Sequence, residues 1–351
     1  MVRLQRTLSW LSWLSWLSGP PHRPVRLALS KHLRDCAFIA LCLLFLASSC
    51  PAAYPDRPIR LIVPAAPGGG IDVQGRLVGQ KLGELIAQTV VIDNRGGANG
   101  IIGSEIVARA APDGYTLLIA SPSHTINASI YRKLPYDTLR DFSPVSRIST
   151  TSGLVMVIHP SLPVRSVAQF IAHARANPDK LVFGSPGIGN VTHLAPEWFG
   201  VMAGVRLVHV PYKGVGPATN DLVGGQIPLM FSPGSVAIPM VKSGRLIALA
   251  VTSIERWPLL PDVPTLNESG LKGFELFTWQ GIFAPARTPP AVIATLNAHV
   301  QAALQAPGMR ERMAAMDAFP AGNSAESFTL FVRDEIARWA KVVKAAGITP
   351  Q

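Results

Sequence analysis

The chain has 351 residues, 48% hydrophobic and only 15% charged, with a net charge of +11. That balance excludes a disordered chain and leaves room for one long domain or two lobes. It also argues against nucleic-acid binding, which calls for a clustered basic stripe. Arg3, Arg6, Arg23, Arg26, Lys31 and Arg34 stand against Asp35 alone in the first 53 residues, and no Lys/Arg run exceeds Arg132-Lys133.

Residues 1–53 read as a leader. Basic Lys31-His-Leu-Arg34 precedes the 12-residue apolar run Cys36–Ala47, then small residues and proline to Ala53. This is the order of an export signal, and the run is too short to span a bilayer comfortably. All three cysteines, Cys36, Cys42 and Cys50, lie in this leader, so the mature chain has no thiol. Leu46-Ala-Ser-Ser-Cys50 loosely resembles a lipobox, but the spacing is off by one, so cleavage near Ala52 or Ala53 is preferred to a lipid anchor. The expected location is periplasmic.

The mature chain opens on a strand at Pro58–Val63, a turn at Gly68, Gly69 and Gly70, and a helix patterned by Ile71, Val73, Leu77, Val78, Leu82, Leu85 and Ile86. Such a unit points free amides and a positive dipole end into one spot, a natural anion site, with Asp72 placed to cap the helix. A dinucleotide fingerprint fails because Val73 stands where glycine or alanine is needed. A P-loop fails because no Gly-Lys-Ser/Thr follows.

Thr89–Asp93 is a second strand, Asn94–Gly100 a loop, Ile101–Ala110 a helix and Thr116–Ala120 a third strand. Strands alternating with helices predict a mostly parallel sheet covered on both faces, with ligands at the strands' carboxyl ends. β-Branched Val145–Ile158 is expected to carry the chain into another sheet. After a helix at Val167–Ala176 and a strand at Lys180–Gly184, Gly184-Ser-Pro-Gly-Ile-Gly-Asn-Val-Thr-His193 repeats the opening logic, with a helix through Leu194–Met202. Leu207–Val210, Ile227–Phe231 and Leu246–Val251 are further strands, and Phe274–Ala284 returns the chain to the first lobe. Helices at Pro289–Gln305, Met309–Met316 and Ala325–Ala346 then cover that lobe.

No enzyme signature emerges. Ser185 is out of register for Gly-x-Ser-x-Gly, and its spacing from His193 gives no reason for a hydrogen bond. His193 reads as a polar lining or cap residue. The eight histidines show no metal spacing. Neither a cofactor nor a metal is implied.

Several runs in order carry a resemblance across nearly the whole mature chain. They include Tyr54-Pro-x-x-Pro-Ile-Arg-Leu-Ile-Val-Pro64, Pro67-Gly-Gly-x-x-Asp72, Pro112-Asp-Gly-Tyr-Thr-Leu-Leu118 and Lys133-Leu-Pro-Tyr-Asp137. Later come His209-Val-Pro-Tyr-Lys-Gly214, Leu249-Ala-Val-Thr-Ser253, Pro261-Asp-Val-Pro-Thr265 and Lys341-Val-Val-Lys-Ala-Ala-Gly347. In these the chain resembles the Bug-type, TctC-like solute receptors of tripartite tricarboxylate transporters.

The resemblance implies an α/β, two-lobed type II periplasmic-binding-protein fold with the ligand cleft between lobes. Residues 54–154 plus 276–351 would form lobe 1 and residues 155–275 lobe 2. Gly68, Gly69, Gly70 and Asp72 would form one jaw, and Gly187, Ile188, Asn190, Thr192 and His193 the other. Ser121, Ser123 and Asn127 would line the first-lobe wall. The implied partners are a small carboxylate and two integral-membrane transporter subunits, with no nucleic acid. A periplasmic sensor feeding a signalling partner is the nearer alternative, and a hydrolase on the same lobes the remoter one. Two departures stand out. Gly70-Ile71 replaces the family's frequent Ser-Thr, and Met230-Phe-Ser232 replaces its common Met-Phe-Asp. Ser232 therefore lacks a carboxylate that could meet a ligand amine.

Overall fold

The computed structural model describes residues 54–350; the leader, its cleavage site and Cys50 lie outside the described residues. The first part of the chain runs β1 (Ile59–Val63), α1 (Gly70–Ile86), β2 (Val90–Asn94), α2 (Ile101–Ala108), β3 (Thr116–Ala120), α3 (Ser123–Ile130) and β4 (Phe142–Thr150). The middle part runs β5 (Leu154–Ile158), α4 (Val167–Ala176), β6 (Val182–Ser185), α5 (Val191–Ala203), β7 (Val208–Pro211), α6 (Val215–Val223), β8 (Leu229–Pro233), α7 (Gly234–Lys242) and β9 (Ile247–Val251). The chain ends with β10 (Trp279–Pro285), α8 (Pro290–Leu304), α9 (Met309–Ala314), β11 (Phe319–Pro320) and α10 (Ala325–Ala345).

The strands form two sheets, ordered β11-β4-β10-β3-β1-β2 and β7-β6-β8-β5-β9. The β2-β1-β3 and β7-β6-β8 portions are parallel, as strand–helix–strand connections require. β10, β4 and β11 join the first sheet antiparallel, and β5 pairs antiparallel with both β8 and β9 in the second. Val145–Ile158, expected to carry the chain into another sheet, does so as two strands separated at Thr151–Gly153. Gly153 allows the break: its φ is +108°, and a Cβ there would collide with the carbonyl of Leu276 on the returning segment.

Each sheet is buried on both faces. Leu61, Val63 and Ile119 pack with Leu77, Leu82 and Leu296 on one side of the first sheet, while Ile62, Leu118 and Phe283 pack with Val107, Phe328 and Val332 on the other. In the second sheet, Met156, Phe183 and Phe231 join Phe170, Leu194 and Phe199, and Val155 and Met230 join Ala218, Leu222 and Ala237. α10 serves both cores. Its first half buries Phe328 and Val332 against the first sheet, and its second half buries Trp339, Val342 and Val343 among the second sheet's residues.

The two segments that cross between the sheets lie side by side. Thr151 N donates to Thr278 O at 2.9 Å, and the hydroxyls of the same two residues lie 2.8 Å apart.

Candidate functional site

Parallel strands bring their carboxyl ends to one side of each sheet, and the strand-to-helix turns gather there. β1 leads into the glycine turn and α1, β3 into Ser121 and α3, β6 into Ser185–Asn190 and α5, and β8 into α7. α3 and α7 were not legible in the sequence: each is short, begins directly beyond its strand, and lacks an extended apolar period.

In the first jaw Gly69 is the N-cap of α1, with φ −75° and ψ 161°. These angles suit any residue, and Gly68, at φ +83°, is the position that favours glycine. Asp72 is only 2% exposed. Its Oδ2 accepts from Gly68 N at 2.8 Å and from Arg76 Nε at 3.0 Å, and its Oδ1 accepts from Asn94 Nδ2 at 2.9 Å. Burial alone pushes this carboxyl up, but the bonds from Arg76, Gly68 and Asn94 together outweigh it and hold the pKa below the usual value. Both oxygens are committed to the turn itself, so Asp72 shapes the jaw. Among the described residues the amides of Gly69, Gly70 and Ile71 meet no protein acceptor, as the first turn of a helix leaves them.

The second jaw is built differently. Gly187 and Gly189 take φ of +142° and +81°. Asn190 caps α5, its Oδ1 accepting from His193 N at 3.0 Å and from Thr192 Oγ1 at 2.5 Å. Asn190 Nδ2 donates to Gly187 O at 2.7 Å. Two amides turn inward: Gly187 N donates to Ser185 Oγ at 3.2 Å and Gly189 N to His193 Nδ1 at 3.3 Å. Among the described residues, those of Ile188, Asn190 and Val191 have no protein acceptor. Ile188 itself packs against the second sheet's core.

Ser185 has a histidine partner, but not the one weighed from the sequence. His209 on β7, the neighbouring strand, places Nε2 2.7 Å from Ser185 Oγ. The pair has the outline of a nucleophile and base. However, Ser185 is wholly buried and its hydroxyl donates to Gly187 O at 2.8 Å, so here the pair ties the glycine loop to the strand beneath it.

The jaws meet through Asn99, which holds left-handed angles in the short turn after β2. Its Nδ2 donates to Asn127 Oδ1 and to Gly189 O, both at 2.8 Å, while Asn127 Nδ2 returns a bond to Asn99 O at 3.1 Å. Asn127 is 1% exposed, so it orients Asn99 rather than offering a free amide.

Beside this bridge a pocket of about 260 Å³ is lined by Ile71, Asn99, Ser104, Ser121, Ser123 and His124, among others, and by no charged side chain. Burial pushes the His124 imidazole down to about 3. Its Nδ1 lies 3.3 Å from Ser104 Oγ, and its Nε2 has no partner among the described residues.

Ser232 is 2% exposed, and its Oγ likewise lacks a partner among the described residues. The nearby start of α7 faces Asp317, whose Oδ2 lies 3.3 Å from where a Cβ on Gly234 would stand. Ser152 Oγ donates to Asp317 Oδ1 at 2.7 Å. Asn99 and Asp317 carried no motif in the sequence, and His209 stood only as the first residue of a family run with no role attached, since each matters through a partner far along the chain.

Residues 75–348 match the family described as "Tripartite tricarboxylate transporter family receptor". The chain is 38% identical to protein BugT of Bordetella pertussis, over 84% of this chain and 90% of that one. Among solved structures, Rpa4515 of R. palustris with adipate is 37% identical, with a TM-score of 0.75 over 85% of this chain and 100% of that one. MatC of Rhodopseudomonas palustris with bound malate is 31% identical, with a TM-score of 0.72 over 83% and 100%.

Proposed function

This chain belongs to the receptor family of tripartite tricarboxylate transporters, and from that premise we propose that it captures a small carboxylate lacking an amine, between the two jaws, for a pair of integral-membrane partner subunits. The observation that carries this reading is the pairing of two helix-opening turns whose unused amides stand on either side of the Asn99–Gly189 contact. Amides at a helix start are suited to a carboxylate, through short, charge-assisted bonds and the helix dipole.

Gly69, Gly70 and Ile71 would hold the anion from lobe 1, and Ile188, Asn190 and Thr192 from lobe 2. Ser121 and Ser123 would receive the rest of the ligand. The uncharged lining of the pocket offers an ammonium no counter-ion there, Ser232 supplies none, and the Asp317 carboxylate near Ser232 already accepts from Ser152 Oγ. The adipate and malate held by the two related structures are of this amine-free class. We further propose that the lobes divide near Leu154 and Glu275 and close about the crossing segments. The leader would export the chain to the periplasm, with the mature protein starting within a few residues of Tyr54.

The test is calorimetry on the mature protein with adipate, malate, succinate and aspartate. Saturable binding of at least one simple diacid, tighter than aspartate, is the expected result. Stronger binding of aspartate than of succinate refutes the amine-free class, and failure of every carboxylate refutes the reading.

A further inference from the structure

Beneath the second jaw lies a cluster of titratable groups that ligand contact does not explain. His193, 4% exposed, stacks on His209 with ring centroids 3.9 Å apart and planes 24° from parallel. Phe183 of β6 extends the stack, 4.9 Å from His209. His193 comes from the first turn of α5 and His209 from β7, so the fold, not local sequence, pairs them. Each ring touches the glycine loop from below. His193 Nδ1 accepts the Gly189 amide, and His209 Nε2 meets Ser185 Oγ, which itself holds both the amide and the carbonyl of Gly187.

These bonds define the protonation state. Accepting from an amide requires His193 Nδ1 to be bare, so its proton sits on Nε2, which faces Glu197 Oε1 at 3.7 Å. Ser185 has one hydrogen and gives it to Gly187 O, so His209 donates from Nε2. His193 is thus a neutral imidazole with its proton on Nε2, and His209 carries a proton on its own Nε2.

We infer that the stacked His193–His209 pair is the positioning device of the second jaw, setting the Gly187–Gly189 backbone so that the neighbouring amides face the cleft, and that protonation of His193 releases it. A proton on Nδ1 turns the acceptor into a donor facing the Gly189 N–H, and the loop loses its inner anchor. This inference rests on the carboxylate reading only for its ligand readout.

The surroundings favour the neutral state. Burial pushes His193 down to about 4, and burial with the adjacent His193 pushes His209 down to about 3. Glu197 is the nearest carboxylate, and burial pushes it up to about 7. From α10, Glu335 and Arg338 pair with each other at 3.0 Å, with Arg338 lying over Trp198. At the base of the loop Tyr212 donates to Asp221 at 2.8 Å. β6 and β8 bring no charged side chain, and Asn99 and Ile130, which cover Gly189, are neutral.

The experiment uses mature wild type, His193→Phe, which keeps a stacking ring without the acceptor, and His193→Asn, whose Oδ1 can replace Nδ1 but does not titrate. Adipate affinity is measured by calorimetry from pH 7 to pH 3.5, and Gly189 amide exchange by NMR without ligand. His193→Phe should weaken adipate binding at least tenfold at pH 7 and expose the Gly189 amide to exchange. His193→Asn should recover most of both. The adipate carboxyls titrate alike for every variant, so the wild-type to His193→Asn affinity ratio isolates the imidazole, and it should fall about fourfold by pH 3.5, the limit for a ring that titrates at about 4. Wild-type-like affinity and exchange in His193→Phe would overturn the inference, as would a pH-independent ratio. Should wild type bind no adipate, the carboxylate reading is in trouble, while the exchange comparison still decides this one: equal Gly189 protection in wild type and His193→Phe rejects it.

Discussion

The two jaws perform one geometric task with opposite chemistry. Both are glycine turns between a strand and a helix, and both leave amides unused at the helix start. The first is tied from within by a charge, Asp72, which gathers Gly68, Arg76 and Asn94. The second is supported from beneath by neutral rings drawn from two elements. A local ionic support lies within four residues of its turn and can be read from sequence. A stacked support needs the tertiary fold, and it is sensitive to acid where the ionic one is not.

Acid therefore separates the two most widely. His124, His193 and His209 are held neutral well below their ordinary value of 6.5. Below that value the unfolded chain takes up three protons that the native chain refuses, so stability falls with pH until the native rings titrate. Glu197 acts in the opposite sense: its raised native value means the native chain holds one extra proton between about 7 and 4.5. The net is two protons, or on the order of 2–3 kcal/mol lost per pH unit between 6.5 and 4.5. Asp72, with its pKa depressed, contributes stability at higher pH that is lost only below the ordinary carboxylate range. Urea midpoints across pH 4.5–7.5 should decline in that window, and the decline should shrink in His193→Asn.

Asp72→Ala breaks the first jaw. It leaves the Gly68 amide and Asn94 without their acceptor, and bonds to a charged group are worth about 1.5–3 kcal/mol each. Arg76 is half exposed, so its share is reduced by solvent. A loss of about 2–3 kcal/mol in denaturant unfolding is expected, with weakened ligand affinity.

Gly189→Ala breaks the second. It places a side chain at φ +81°, with its Cβ 3.1 Å from Asn99 Nδ2 and 3.3 Å from Ile130 Cγ2. More than tenfold loss of affinity should appear in calorimetry, equivalent to about 1.4 kcal/mol.

The smallest effects sharpen which glycine the first turn needs. Gly68→Ala should cost about 1 kcal/mol through its positive φ. Gly69→Ala should leave the melting temperature unchanged, because its angles are ordinary and the nearest atom to a new Cβ is Ala66 O at 3.6 Å. Bulkier Gly69→Val then reports on the cleft alone: it should lose ligand while remaining folded by circular dichroism.

The sequence by itself determined the alternation of strands and helices, the two glycine turns and the family, because apolar period, turn chemistry and ordered short runs are all local signals. It also pointed to the residues around both turns as candidates. It did not separate residues that face a ligand from those that hold the turn, and Asp72, Asn127 and His193 prove committed to the protein's own backbone or side chains. It marked Val145–Ile158 as the passage into another sheet but gave no point of crossing within the run, because β-branched residues look alike in either sheet and the close approach of Leu276 to Gly153 is a tertiary contact. It read α10 as a cover for the first sheet, and the second half of the helix is also buried among the second sheet's residues. Asn99, His209 and Asp317 gain their roles from partners 24 to 165 residues away, at Asn127, Ser185, Gly189 and Ser152. Such pairings exist only once both sheets are folded, since a hydrogen bond or a ring stack is decided by distance in space and leaves no period in the chain.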